Sequence, residues 1–214
     1  MKVLLVAPSN KDLPNINVEI QEVLRSGLDV TPLLGDVTAV DLLREIRAGD
    51  YDVLWLATHG DNQNIHLSSG VLLPATELVP QVRGRFRLVV LNTCNGLGAA
   101  QMLQEEANVG VICALTSVDD SIAYKFGVLL ATALVEQSSI AEAYLSSKAG
   151  HNTNYLYLPA LRPQESAVEN LLVEMRDLKN VVERQRSWER KAAVFALALH
   201  PITWLIIAWL MWRV

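Results

Sequence analysis

Two apolar runs in this chain each end on a side chain able to move a proton or attack a carbonyl, with glycine close behind. Leu54-Trp55-Leu56-Ala57-Thr58 runs into His59-Gly60, and Leu88-Val89-Val90-Leu91-Asn92-Thr93 runs into Cys94-Asn95-Gly96. A thiol is a strong nucleophile only as the thiolate, and a neighbouring imidazole is the usual means of making it one. The pair therefore reads as a Cys-His dyad for covalent catalysis. The alternative is a buried cysteine and an ordinary loop histidine. The repetition of the same glycine-bounded run end favours the reactive reading.

For the two side chains to meet, the runs must lie side by side. Short apolar stretches bounded by glycine and polar residues are the signature of buried strands in a parallel sheet. Neighbouring parallel strands would bring His59 and Cys94 to one carboxyl edge, where open α/β sheets keep their sites. The rest of the chain supplies strands and helices in alternation. Strands are expected at 2–7, 28–34, 51–58, 86–93, 109–115 and 155–158, with a short hairpin over 65–73 turning at Ser68-Ser69-Gly70. Helices are expected after Asn15 (Val18, Ile20, Val23 and Leu24, closed by Gly27), and at 40–48, 74–82, 98–107, 118–134 and 139–148. This alternation predicts a doubly wound α/β fold with a mostly parallel sheet. The helix beginning at Gly98 would point its amino end at Cys94 and favour the thiolate.

The order of these pieces resembles the caspase-hemoglobinase fold, and more closely its CHAT branch of caspase-like, separase-related domains. The similarity rests on His59-Gly60, on Thr93-Cys94-Asn95-Gly96, and on the strand Gly110–Leu115 leading to Val118-Asp119-Asp120. It extends to the helix at Ser138–Tyr144 and the last strand Asn154–Leu158, covering about residues 1–160. The resemblance implies a cysteine endopeptidase with Cys94 as nucleophile and His59 as acid/base. It assigns the backbone amides of Gly60 and Cys94 to the oxyanion, a protein as substrate, and no cofactor or metal. It further implies an effector of a bacterial defence or cell-death system that a partner protein switches on. One departure concerns specificity. Arginine- or lysine-directed relatives such as metacaspases carry an acid two positions before the catalytic cysteine, where this chain has Asn92. Asn92, Asn95 and Asp61 are candidates for orienting the site or lining a pocket, and Asp12, Asp61 and Asp119 for an acidic pocket. Each also reads as a strand-end, turn or cap residue.

Composition bounds the remaining possibilities. The 214 residues carry a formal net charge of −5 and no dense Lys/Arg run, which excludes a nucleic-acid-binding face as the main business of the chain. Two cysteines cannot build a disulfide framework, which fits a reducing compartment. After Pro163, Val168, Leu171, Met175, Leu178, Val182 and Gln185 recur in steps of three and four, a coiled-coil-like seam over 164–191. It would serve self-association, pairing with an activator, or packing on its own domain. Residues 192–212 contain no Asp, Glu, Lys or Arg and include Trp204, Trp209 and Trp212. At 1.5 Å per residue such a helix spans roughly 30 Å of hydrocarbon. The expectation is a single tail anchor in the inner membrane, with Arg184, Arg186, Arg190 and Lys191 holding the N-terminal domain in the cytoplasm. His200-Pro201 in mid-segment reads as a kink with a bonded imidazole or as a pore-facing group. Three classes of function thus stand: a membrane-anchored peptidase on residues 1–160, a silent scaffold of the same fold, and a membrane-disrupting effector whose globular domain controls helix assembly.

Overall fold

A computed structural model describes residues 1–9, 13–148 and 154–161. The coiled-coil seam at 164–191, the apolar segment 192–212 with His200, and Asp12 lie outside the described residues. Among the described residues no helix is long and apolar enough to cross a membrane.

The chain alternates β1 (Lys2–Pro8), α1 (Ile16–Arg25), β2 (Asp29–Gly35), α2 (Ala39–Ala48) and β3 (Val53–Ala57). A small hairpin follows, β4 (Asn64–His66) and β5 (Leu72–Pro74), with one turn of 3₁₀-helix at Ser68–Gly70 between its strands. The chain continues with α3 (Ala75–Val82), β6 (Leu88–Asn92), α4 (Leu97–Ala107), β7 (Gly110–Ala114), α5 (Asp120–Glu136), α6 (Ile140–Lys148) and β8 (Tyr155–Leu158). The main sheet has the order β2-β1-β3-β6-β7-β8. All its pairs are parallel except β7–β8. The α/β class and the mostly parallel sheet are as the sequence predicts.

Period-two alternation divides the core. Leu54 and Leu56 of β3 and Val89 and Leu91 of β6 point to the side of α2, α3 and α4. Val53, Trp55 and Ala57, with Leu88 and Val90, point to the side of α1, α5 and α6. Helices therefore cover both faces, as a parallel sheet with two apolar faces requires. β3, β6 and β7 are one to two residues tighter at each end than the apolar runs suggest, with Thr58 and Thr93 already in the loops, whereas β1 and β2 run one residue further, to Pro8 and Gly35. α2 starts at a capping box, Thr38 Oγ1 accepting from the Asp41 N–H while the Asp41 carboxylate accepts from the Thr38 N–H.

α1 differs from expectation in its facing. Val18 and Leu24 are exposed, and the buried stripe is Ile16, Glu19, Ile20 and Val23. A carboxylate occupies a core position of this helix, and the reason lies in the cleft it faces.

Candidate active site

The register of β3 and β6 fixes the site. Ala57 pairs with Asn92, so His59 and Cys94 stand two residues beyond partners in neighbouring strands, at the same edge. Counting in twos from Trp55 and Val90, both fall on the side covered by α1 and α5. The sheet order reverses between β1 and β3, the place where ligand crevices form in open α/β sheets. A cleft of about 200 Å³ opens there. Its walls include His59, Thr93 and Cys94 from the loops, Leu13 and Ile16 before and in α1, and Val118 and Ala123 around the start of α5. Glu19, Asn92, Asp120 and Tyr155 line it as well.

The histidine loop is held from below by the hairpin. The His66 N–H donates to the His59 carbonyl (3.0 Å), and Thr58 Oγ1–H to the His66 carbonyl (2.7 Å). The Asp61 N–H donates to the Asn64 carbonyl (3.0 Å). These bonds flank the Gly60–Ile65 bridge, which is therefore the non-hydrogen-bonded kind, with the Gly60 N–H turned away from the hairpin. The same residue packs on the cysteine loop. A Cβ at Gly60 would stand 2.8 Å from Thr93 Oγ1 and 2.9 Å from its Cβ, so only glycine allows this approach. A second tie is Asn62, whose Oδ1 accepts from the Gly98 N–H (2.9 Å) in the first turn of α4.

Cys94 begins a sharp turn. Asn95 has φ 51°, and the N–H groups of Asn95 and Gly96 donate to the carbonyls of Thr116 (3.2 Å) and Ala114 (2.9 Å). Among the described residues no acceptor takes the N–H of Gly60 or Cys94. The half-buried thiol faces Val118: Sγ lies 3.5 Å from the Val118 N–H nitrogen and 3.7 Å from its carbonyl oxygen. The amide is placed to steady a thiolate and the carbonyl to accept from a thiol. The other cysteine, Cys113, is fully buried in β7, and burial pushes its thiol up to about 12.

A polar network lines the same cleft. Trp55 Nε1–H and Asn92 Nδ2–H both donate to Glu19 Oε1 (3.1 and 2.7 Å). Asn92 Nδ2 also reaches the Ala123 carbonyl (3.3 Å), and the Tyr155 hydroxyl donates to Asn92 Oδ1. Tyr155 is stacked on Phe126 at 3.8 Å. Glu19 is only 4% exposed. Burial raises its pKa to about 7, against the two donated hydrogen bonds and with a smaller push from Asp120. Asp120 in turn accepts from the Asn15 N–H (2.9 Å) and Nδ2 (2.6 Å).

Among the candidates from sequence, the cleft thus unites His59, Cys94 and Asn92. Asp61 and Asn95 lie outside its walls. The Asp61 carboxylate accepts from the N–H groups of Gln63 and Asn64 and from the Asn64 side chain, and meets His66 Nε2 at 3.2 Å. These bonds, that of the Gln63 N–H first, hold its pKa down at about 2. Asp119 caps α5 by accepting from the Ser121 N–H (2.8 Å). Glu19 and Tyr155 were not among the site candidates from sequence, and Asp120 entered there only through the Val118-Asp119-Asp120 stretch. The available signal was a glutamate inside the Ile16–Ile20–Val23 stripe. Among the described residues there is no His/Cys/Asp/Glu group that could hold a metal.

The family model described as "CHAT domain" matches residues 4–147. No curated protein sequence matches the chain. Among solved structures, the pyridoxal kinase from Staphylococcus aureus in complex with pyridoxal is similar at 12% identity and a TM-score of 0.40, covering 69% of this chain and 85% of that one.

Proposed function

This chain belongs to the CHAT domain family of caspase-like, peptidase-related proteins, and from that premise we propose that it is a cysteine endopeptidase with Cys94 as nucleophile and His59 as acid/base. The observation that carries the reading is the matched pair of strand ends, Ala57 beside Asn92, which delivers both side chains to the wall of one cleft.

The chemistry follows from the groups around it. His59 takes the Cys94 proton, and the thiolate attacks the scissile carbonyl carbon, forming the C–S bond as the carbonyl π pair moves to oxygen. The unclaimed N–H groups of Gly60 and Cys94 receive that oxyanion. Collapse expels the amine, which His59 protonates, and leaves a thioester. Water activated by His59 then hydrolyses the thioester and restores the thiol. The Val118 N–H near Sγ stabilises the thiolate between these steps.

The apolar segment 192–212 is read as a tail anchor that holds this domain at the inner membrane, and the seam at 164–191 as the place where an activator or a second copy docks. A role as the executing part of a defence or cell-death system accords with that layout. The test is a comparison, in cells producing the chain with its genomic neighbours, of wild type, Cys94→Ala, His59→Ala and a truncation before Ala192. Loss of a cleavage product in both point variants supports the peptidase. Wild-type behaviour of both, with a silent truncation, refutes it and leaves the membrane segment as the active part. Full activity of the truncation removes the need for an anchor.

A further inference from the structure

Resting on the peptidase reading, we propose that the cleft takes a cationic side chain, lysine or arginine, as the residue on the acyl side of the scissile bond, with Glu19 as its counter-charge. The acid comes from helix α1, one layer away from the strand end that carries Asn92.

The lining of the cleft favours a long cationic side chain. Its volume of about 200 Å³ lies below the roughly 300–1,000 Å³ of pockets for drug-sized molecules and suits one long side chain. Leu13, Ile16 and Ala123 give it apolar walls for an aliphatic stem. The hydrogen bonds from Trp55 and Asn92 both end on Glu19 Oε1, so Oε2 has no donor among the described residues. The ion pairs there are Arg25–Glu22, Arg44–Asp41 and His66–Asp61, so neither Glu19 nor Asp120 meets a basic side chain of the described residues. An apolar occupant would leave a buried carboxylate oxygen dry, which costs free energy. An acidic occupant would meet two like charges. An ammonium or guanidinium supplies both the missing donor and the missing charge.

Asn92 supports this assignment. Its amide hydrogens are committed to Glu19 and Ala123 and its oxygen to Tyr155. It offers an occupant nothing, and it holds the Glu19 carboxylate in place instead. Gly127 on α5 completes the seat, since a Cβ there would stand 2.6 Å from Glu19 Oε1.

Two arms test the assignment with the full-length chain. In the first, a proteome-derived peptide library is digested and the new C termini are read by mass spectrometry. Lysine or arginine is expected at those termini. Glu19→Gln, which keeps size and one acceptor, should lower kcat/KM for an arginine peptide by about 10- to 100-fold, the worth of a charge-assisted hydrogen bond. The peptide with citrulline in place of arginine should be nearly unaffected. Uncharged or acidic C termini, or an unchanged arginine-to-citrulline ratio in Glu19→Gln, would overturn the proposal and leave the peptidase standing. The second arm needs no cleavage. In Cys94→Ala, the indole N–H resonance of Trp55, the direct donor to Glu19, is followed during titration with N-acetyl-arginine methylamide and with its citrulline counterpart. A shift with arginine only, lost in Glu19→Gln, supports the pocket even if the wild type cuts nothing, in which case it is the peptidase reading that fails. Equal responses to the two probes, or none to either, overturn the pocket.

Discussion

Replacing Glu19 by glutamine should stabilise the folded chain at alkaline pH and leave it almost unchanged in acid. The carboxyl group is raised in the fold from its ordinary 4.5 to about 7, chiefly because burial disfavours the charged form. Between those values the folded state holds a proton that the unfolded state has released. Stability therefore falls as pH rises through this window, and the penalty is complete above about 7. An interval from 4.5 to about 7, at roughly 1.4 kcal/mol per pH unit, gives about 3 kcal/mol. Glutamine has nothing to ionise, yet its oxygen can still accept from Trp55 and Asn92. The advantage of Glu19→Gln should accordingly grow from near zero at pH 4.5 to about 3 kcal/mol at pH 8. Urea unfolding of the full-length chain in mild detergent, followed by circular dichroism at pH 5, 6, 7 and 8, measures it as a widening gap between midpoints. Parallel profiles for the two proteins would refute the argument. They would mean that Glu19 is better solvated or better paired than its 4% exposure and two donors imply.

The same group sets a second pH dependence: a cation competes with the proton for Glu19, so affinity of the arginine probe in the Cys94→Ala chain should decline as pH drops below about 7, with little change from 7.5 to 8.5. Calorimetric titration across that range checks it. Gly60→Ala forces a methyl group to within 3 Å of Thr93, which should cost about 1–3 kcal/mol as overpacking does and displace His59; a fall in activity of at least tenfold with a lowered urea midpoint is expected. Asn62→Ala removes the bond to the Gly98 N–H and should cost about 1 kcal/mol, seen as faster amide exchange at Gly98 and Ala99. Iodoacetamide at pH 8 should label Cys94 and spare Cys113, which is fully buried with its thiol pushed up to about 12; peptide mass mapping decides between one adduct and two.

The sheet was legible because each central strand is apolar on both faces and bounded by a turn signal, so β3, β6 and β7 stand out without knowledge of their neighbours. The edge holding His59 and Cys94 was legible for the same reason, since a parallel sheet aligns all carboxyl ends. The direction of β8 was not, because Tyr155–Leu158 carries no local mark of running antiparallel. The cleft floor was hidden more deeply. Its bonds join Glu19 to residues 36 and 73 positions away, and no local pattern encodes such a contact. A glutamate inside an apolar stripe looks like a break in the stripe, which shifts the apparent face toward Val18 and Leu24.

Asn92 posed the sharper problem. Read alone, it is the place where basic-directed relatives carry an acid and this chain does not. Its Nδ2 stands 2.7 Å from Glu19 Oε1, and a carboxylate in its place would face Glu19 as a like charge. Two carboxylates at that separation in a buried site cannot both ionise. An amide at 92 thus spares Glu19 a second like charge and donates a hydrogen bond to it instead. Whether the chain has lost that acid or moved it can be decided only once the contact between α1 and β6 is known.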